Sequence, residues 1–119
     1  MGMLDAWGNH PAVIETLKEA SDAMGEDLSA LIHHGPKEAL ALTTNTQPVM
    51  LVSAIAAYRA WLAEGGAQPV VVAGHSLGEY SALVAAGVHA LYIICVYVCV
   101  CKYICLCVFK YVLCVYIYK

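Results

Sequence analysis

A chain of 119 residues suits one domain at most, and its formal charge of −3, from nine acids and six bases, leaves no basic footprint for nucleic acid. Those totals average two unlike segments. Residues 1–91 hold all nine acids, all nine glycines and all four prolines but no cysteine, whereas residues 92–119 hold all six cysteines and no Gly, Pro, Asp, Glu, Asn, Gln, Ser, Thr or Ala. The chain is therefore expected to divide near His89–Tyr92, into a domain portion at 1–91 and a low-complexity tail at 92–119.

The first element predicted is an amphipathic helix over residues 11–24. Pro11 suits a first helical position, with Asn9 or His10 as cap. Val13, Leu17, Ala20 and Met24 fall on one apolar stripe, and Glu15, Lys18, Glu19 and Asp22 cover the opposite face. Gly25 is placed to end it. Asp27 caps a short second helix from Leu28 to His33, closed by Gly35-Pro36. The polar stretch TTNTQP (43–48) reads as a loop. A longer helix follows from about Pro48 to Glu64, with Leu51, Ile55, Tyr58 and Leu62 as its buried stripe and Gly65-Gly66 as its stop. Arg59 reads as surface, and so do His10, His33 and His34. PVVVAG (69–74) is a β-branched run without alternation, the pattern of a strand covered on both faces. Leu77 to Ala86 is again helical and ends at Gly87. The class is α/β, with helices and one strand–turn–helix unit; one strand cannot complete a parallel sheet.

In the tail, Tyr, Ile, Cys and Val make up 22 of 28 residues. The cysteines at 95, 99, 101, 105, 107 and 114 have no turn-forming residue among them, which speaks against a disulfide scaffold. No CxxC pair is present, so no metal site is expected. Alternating TG codons read Cys-Val and alternating TA codons read Tyr-Ile, so the tail reads as a translated simple repeat. A membrane segment competes with that reading, because residues 80–101 contain no Asp, Glu, Lys or Arg and are long enough to span a bilayer. Half of that window is YSALVAAGV, however, and Tyr, Val, Ile and Cys favour strands. Membrane insertion is therefore not expected.

Gly74-His75-Ser76-Leu77-Gly78 fits G-x-S-x-G, the nucleophile elbow. In such a turn a serine is pushed out between a strand and a helix. Glycines flank it at 74 and 78 because side chains there are expected to collide with neighbouring backbone. The helix beginning at Leu77 aims its free N–H groups at the serine, and the Leu77 N–H can donate to an oxyanion. An ordinary cap serine in a glycine-rich turn would show the same five letters. The apolar strand before it and the helix after it favour the nucleophile. His75 is adjacent in a tight turn and points away, so it is not read as the base. Glu79, in the first turn of the helix, is read first as a capping carboxylate.

The longer string GHSLGEYSALVAAGV (74–88) resembles the active-site segment of bacterial malonyl-CoA:acyl-carrier-protein transacylases. GMLDAWGNHPAVIETLKEASDAMGEDLSAL and GPKEALALTTNTQPVMLVSAIAAYRAWLAEGG follow the same family in order and spacing. The resemblance spans residues 2–88, about the first third of such an enzyme, and implies a partial acyltransferase domain of the α/β-hydrolase-like kind. It implies a reaction in which Ser76 takes malonyl from malonyl-CoA as an ester and passes it to the phosphopantetheine thiol of acyl carrier protein, in fatty-acid synthesis. Leu77 then matches the residue whose N–H forms half of the oxyanion hole. Gln47 matches a glutamine lining the substrate site, a role that stays level with that of a loop glutamine bonded to backbone. No cofactor or metal is implied. The partners implied are malonyl-CoA and acyl carrier protein, and the location implied is the cytoplasm, in keeping with an opening MGMLDAWGNHP that has no secretory pattern. The runner-up within enzymes is an acyltransferase domain of a polyketide synthase. From another class, the rival is a non-catalytic or membrane-tethered product.

The resemblance also implies parts without a counterpart here: a loop supplying the second oxyanion donor, an arginine beyond the elbow helix for the malonyl carboxylate, and a distant histidine base. The likeness fades at about His89, before either of the last two. A serine without a base is a weak nucleophile at neutral pH, and losing the arginine loses a bidentate carboxylate contact. The purified 119-residue chain is therefore expected to show negligible malonyl transfer in a discontinuous acyl-carrier assay. Turnover comparable to a complete enzyme would contradict this.

Overall fold

A computed structural model describes residues 2–91, 93–95 and 117–118. After a 3-10 turn at Asp5–Trp7, the elements run in the order α1 (Pro11–Met24), α2 (Leu28–His34), α3 (Lys37–Ala41), α4 (Thr43–Ala63), β1 (Val71–Val72), α5 (Leu77–Ala85) and β2 (Ile117–Tyr118). Leu91 and residues 93–95 are again helical.

Local chemistry sets the ends of α1 and α2. His10, not Asn9, caps α1: its Nδ1 accepts the Ala12 N–H at 3.2 Å, with Pro11 in the first helical position. The same ring donates from Nε2 to Glu64 Oε1 at 3.0 Å. The two bonds together fix the neutral tautomer protonated on Nε2. His10, expected on the surface, thus ties the start of α1 to the end of α4. Gly25 takes the left-handed conformation that ends α1, at φ 66°. Asp27 Oδ1 accepts the Ala30 N–H at 2.9 Å and opens α2.

Between residues 37 and 48 the structure differs from the sequence expectation. Residues 43–48 are helical, not a loop, and α4 runs through Pro48 from a start at Thr43. The polar side chains there are occupied by the preceding helix. Asn45 Nδ2 donates to the Ala39 carbonyl at 3.0 Å, and the Thr46 hydroxyl donates to the carbonyls of Leu40 and Leu42. Those bonds tie the first turn of α4 to the last turn of α3 and to Leu42 between them. Pro48 removes one α4 hydrogen bond but is itself fully buried in the core.

α4 is the central element, buried on two sides. Val49, Val52, Ile55, Ala56 and Ala60 join Val13, Leu17, Ala20 and Met24 of α1 in one core with Leu28, Ile32, Leu91 and Cys95. Ala20, Ala56 and Ala60 are wholly buried, and their small side chains let α1 and α4 pack closely. On its other side α4 offers Leu51, which with Ile94 packs against Leu77, Tyr80 and Val84. Tyr58 and Leu62, expected in the buried stripe, are only half-buried.

Arg59 is not a surface residue. Its Nη1 donates to Glu19 Oε2 at 2.7 Å and to Thr16 Oγ1 at 3.2 Å. The Thr16 hydroxyl in turn donates to the Ala12 carbonyl at 2.6 Å. The guanidinium therefore bridges α4 to α1, with about a third of each charged side chain still exposed.

β1 is two residues long and pairs antiparallel with β2, Val71 opposite Tyr118 and Val72 opposite Ile117. The expected two-sided cover is not seen: Val70 is 71 % and Val71 42 % exposed. Within the tail, Ile94 and Cys95 are buried and the Cys95 thiol forms no disulfide. The other five cysteines lie outside the described residues, as do residues 92 and 96–101 of the 80–101 window. Among the described residues, no helix is long and apolar enough to cross a membrane.

Replacing Arg59 with Ala removes the bridge between α1 and α4 at a part-exposed position. Urea denaturation is expected to show a loss of about 1 kcal/mol. Arg59→Lys should recover only part of it, because one ammonium replaces a fork that reaches two acceptors.

Candidate active site

The elbow is built from the chain's own backbone. Coming out of β1, the chain passes Gly74 so close to the start of α5 that a Cβ there would lie 2.0 Å from the Gly78 carbonyl oxygen and 2.6 Å from the Glu79 nitrogen. Only glycine fits. Gly78 differs from the expectation of a collision: a Cβ on it would meet nothing within 4 Å, because its free direction faces away from the crossing.

Ser76 sits at the apex with φ 56° and ψ −122°. It is the one non-glycine residue at positive φ among the described residues. Such a conformation costs on the order of 1–3 kcal/mol and persists only where the surroundings over-determine it. Ser76 is exposed, as is His75. Among the described residues no hydrogen bond joins the His75 ring to Ser76.

Four consecutive amides define the elbow's electrostatics. The Ser76 N–H donates to Glu79 Oε1 at 2.9 Å. The Gly78 N–H donates to the His75 carbonyl at 2.9 Å and the Glu79 N–H to the Ser76 carbonyl at 3.1 Å. The Leu77 N–H alone of the four donates to no protein group among the described residues. It lies at the positive end of α5, one residue after the serine, where an anion would be stabilised.

The Leu77 side chain is half-buried and packs against Leu51 and Ile94. That contact anchors the first turn of α5 to α4. Gln47 lies one helical turn before Leu51, on the same face of α4. Its side chain is exposed, and no hydrogen bond joins it to the elbow. The structure thus brings Gly74, Ser76, Leu77 and Gly78 into one turn and leaves Gln47 on the neighbouring helix. A mainly apolar cleft lies between the last turn of α5 and the chain entering β1, lined by Gln68, Pro69, Val70, Val72, Ala85 and Ala86 with Tyr58 of α4. None of its lining residues belongs to the elbow. The role of Glu79 as direct acceptor for the serine's own amide goes beyond the sequence reading, although Ser-x-x-Glu at a helix start is its signature.

Comparison with known proteins matches this architecture. The acyl transferase domain model fits residues 4–98, and the chain belongs to that family. It is 54 % identical over 89 residues to the malonyl CoA-acyl carrier protein transacylase of Escherichia coli K12, covering 74 % of this chain and 29 % of that protein. The crystal structure of an acyl-carrier-protein S-malonyltransferase from Burkholderia pseudomallei superposes with a TM-score of 0.82 at 56 % identity, over 87 % of this chain and 34 % of the other. A malonyl-transacylase solved in complex with a type II polyketide synthase acyl-carrier protein gives 0.80 at 45 %, over 87 % and 34 %. The chain thus spans about a third of the length of the proteins it matches.

The two glycines separate by experiment. Gly74→Ala is expected to lower stability by about 2–4 kcal/mol, as overpacking against backbone with no flexible neighbour to yield. Gly78→Ala is expected to be neutral or stabilising by up to about 1 kcal/mol, the helix-propensity gain. Thermal melts of both variants, followed by circular dichroism, check the pair.

Proposed function

We propose that this chain carries the nucleophile and one oxyanion donor of a malonyl-CoA:acyl-carrier-protein transacylase. The observation that supports it most is Ser76, exposed and held at positive φ beside the free N–H of Leu77, in a member of the acyl transferase family. In the first half-reaction the Ser76 hydroxyl attacks the thioester carbonyl of malonyl-CoA. The Leu77 N–H donates to the oxyanion of the tetrahedral intermediate, a contact worth about 3–4 kcal/mol where such donors have been removed. Collapse breaks the C–S bond, coenzyme A leaves as the thiol, and the serine proton ends on its sulfur. In the second half-reaction the phosphopantetheine thiol of acyl carrier protein attacks the seryl ester. The same N–H holds the same oxyanion, and Ser76 departs with the proton returned to its oxygen.

Gln47 would line the substrate side of the site from α4, and Gly74 with Gly78 would set the turn. The proton carrier and the cation for the malonyl carboxylate are assigned to the two-thirds of the relatives' length outside the match. The cytoplasmic location and the division of the chain near residue 91 belong to the same reading. A polyketide role is the weaker alternative, since a polyketide biosynthesis protein of Burkholderia thailandensis matches at 45 % over 73 residues against 54 % over 89 for the E. coli enzyme.

A graft provides the test. Residues 2–88 replace the matching segment of the E. coli transacylase, and malonyl-carrier formation is measured. Turnover within about tenfold of the parent is expected, with Ser76→Ala lowering it by about a thousandfold or more. A folded graft with no transfer would overturn the proposal.

A further inference from the structure

We infer that Glu79 is a positioning residue for the nucleophile, acting through the backbone amide of Ser76 and leaving the Leu77 amide as the elbow's one free donor; this rests on the proposed role of Ser76. The carboxylate lies three residues after the serine, in the first turn of α5, and accepts the Ser76 N–H at 2.9 Å. That bond fixes the peptide plane between His75 and Ser76. With the plane fixed, φ of Ser76 stays at 56°, a value that an L-residue leaves readily when nothing holds it. The direction of the Ser76 Cα–Cβ bond follows from that angle, and so does the placement of Oγ.

The second consequence concerns the donors. Without Glu79, two adjacent N–H groups, those of Ser76 and Leu77, would lie unbonded at the positive end of α5. Either could take an incoming anion, and the malonyl carboxylate is one. Glu79 occupies the first of them. The Gly78 and Glu79 amides are already bound to the His75 and Ser76 carbonyls. One donor therefore remains, and it belongs to the residue next to the nucleophile. The contact needs an acceptor oxygen of the right reach, not a negative charge. The charge is a small liability, since it lies near the position where an oxyanion develops.

This separates a positioning role from plain helix capping. In Glu79→Gln the amide oxygen still reaches the Ser76 N–H, while the charge is gone. In Glu79→Ala the acceptor is gone. In Glu79→Asp the carboxylate is shorter by one methylene and keeps its charge. A cap that acted only through charge would rank Asp near Glu and Gln near Ala. A positioning acceptor ranks Gln near Glu.

Two measurements decide it. In the 119-residue chain, amide hydrogen exchange is followed at Ser76 and along α5 for the parent, Glu79→Ala and Glu79→Gln. Protection of the Ser76 amide is expected to fall by about tenfold or more in Glu79→Ala, to be largely kept in Glu79→Gln, and to change little beyond the first turn of α5. In the graft described above, Glu79→Ala is expected to lower kcat by about tenfold or more per folded molecule with KM little changed, and Glu79→Gln to stay within about threefold of the parent. Unchanged Ser76 exchange in Glu79→Ala would overturn the inference. So would a uniform loss of protection along α5, or an unaltered kcat at equal folded fraction. If the graft is inactive with Glu79 intact, the proposed reaction fails and the exchange measurement still decides the geometry.

Discussion

Gly74 and Gly78 meet where the chain turns back on itself, and the approach leaves no room for a side chain on the first of them. Everything specific about the elbow follows from that crossing. A strand that enters a helix over so short a distance must reverse direction within two residues. The residue at the apex takes the strain, and that residue is Ser76. Placing it there exposes its hydroxyl and brings it beside an unpaired amide at the helix start. A looser turn would relieve φ and lose both. The strain is offset locally: a hydrogen bond such as Ser76 N–H to Glu79 Oε1 contributes about 0.5–1.5 kcal/mol, a sizeable part of the cost of the conformation it holds.

The turn also needs a floor, and α4 supplies it. Leu51 is buried against the Leu77 side chain and fixes the first turn of α5, while the opposite side of α4 is buried against α1. Arg59 and His10 add polar ties between α1 and α4 at two separate levels. A shift of α1 against α4 would therefore reach the elbow through one helix. A network of flexible loops would not transmit it. The position of Gln47 one turn before Leu51 places it on this same rigid element, so its distance from Ser76 is set by helix packing.

What the sequence made legible was whatever its neighbours in the chain decide. Pro11 and Gly25 mark the two ends of α1, and Asp27 opens α2, because a cap acts within about four residues. The elbow belongs to the same kind, since glycine, serine and glycine at fixed offsets are themselves the geometry. The start of α4 was hidden because Asn45 and Thr46 bond to carbonyls of α3, and α3 had no signal strong enough to be read. Arg59 looked free because its partners, Thr16 and Glu19, lie 43 and 40 residues away. The valines of β1 read as doubly covered because apolar runs usually are. Which side of a strand is covered depends on what packs there, and sequence carries that only through the rest of the fold.

A double-displacement reaction asks one thing of its nucleophile turn that a single hydrolytic step does not. In the proposed reaction the oxyanion would form twice, first with coenzyme A as the departing group and then with the serine itself. Between the two events the serine carries an acyl group and the turn must not relax. A side-chain donor would have to keep its rotamer through that interval. A backbone donor has no rotamer to keep. The Leu77 amide is held by α5 on one side and by the packing of its own side chain against α4 on the other. The amide before it is held by Glu79 whether or not the serine is acylated, because the bond does not involve the hydroxyl. Chemistry at Oγ thus leaves the Ser76 N–H on Glu79 and the Leu77 N–H in place, and of the elbow's amides it bears only on the Glu79 N–H, which the Ser76 side chain faces in the capping box.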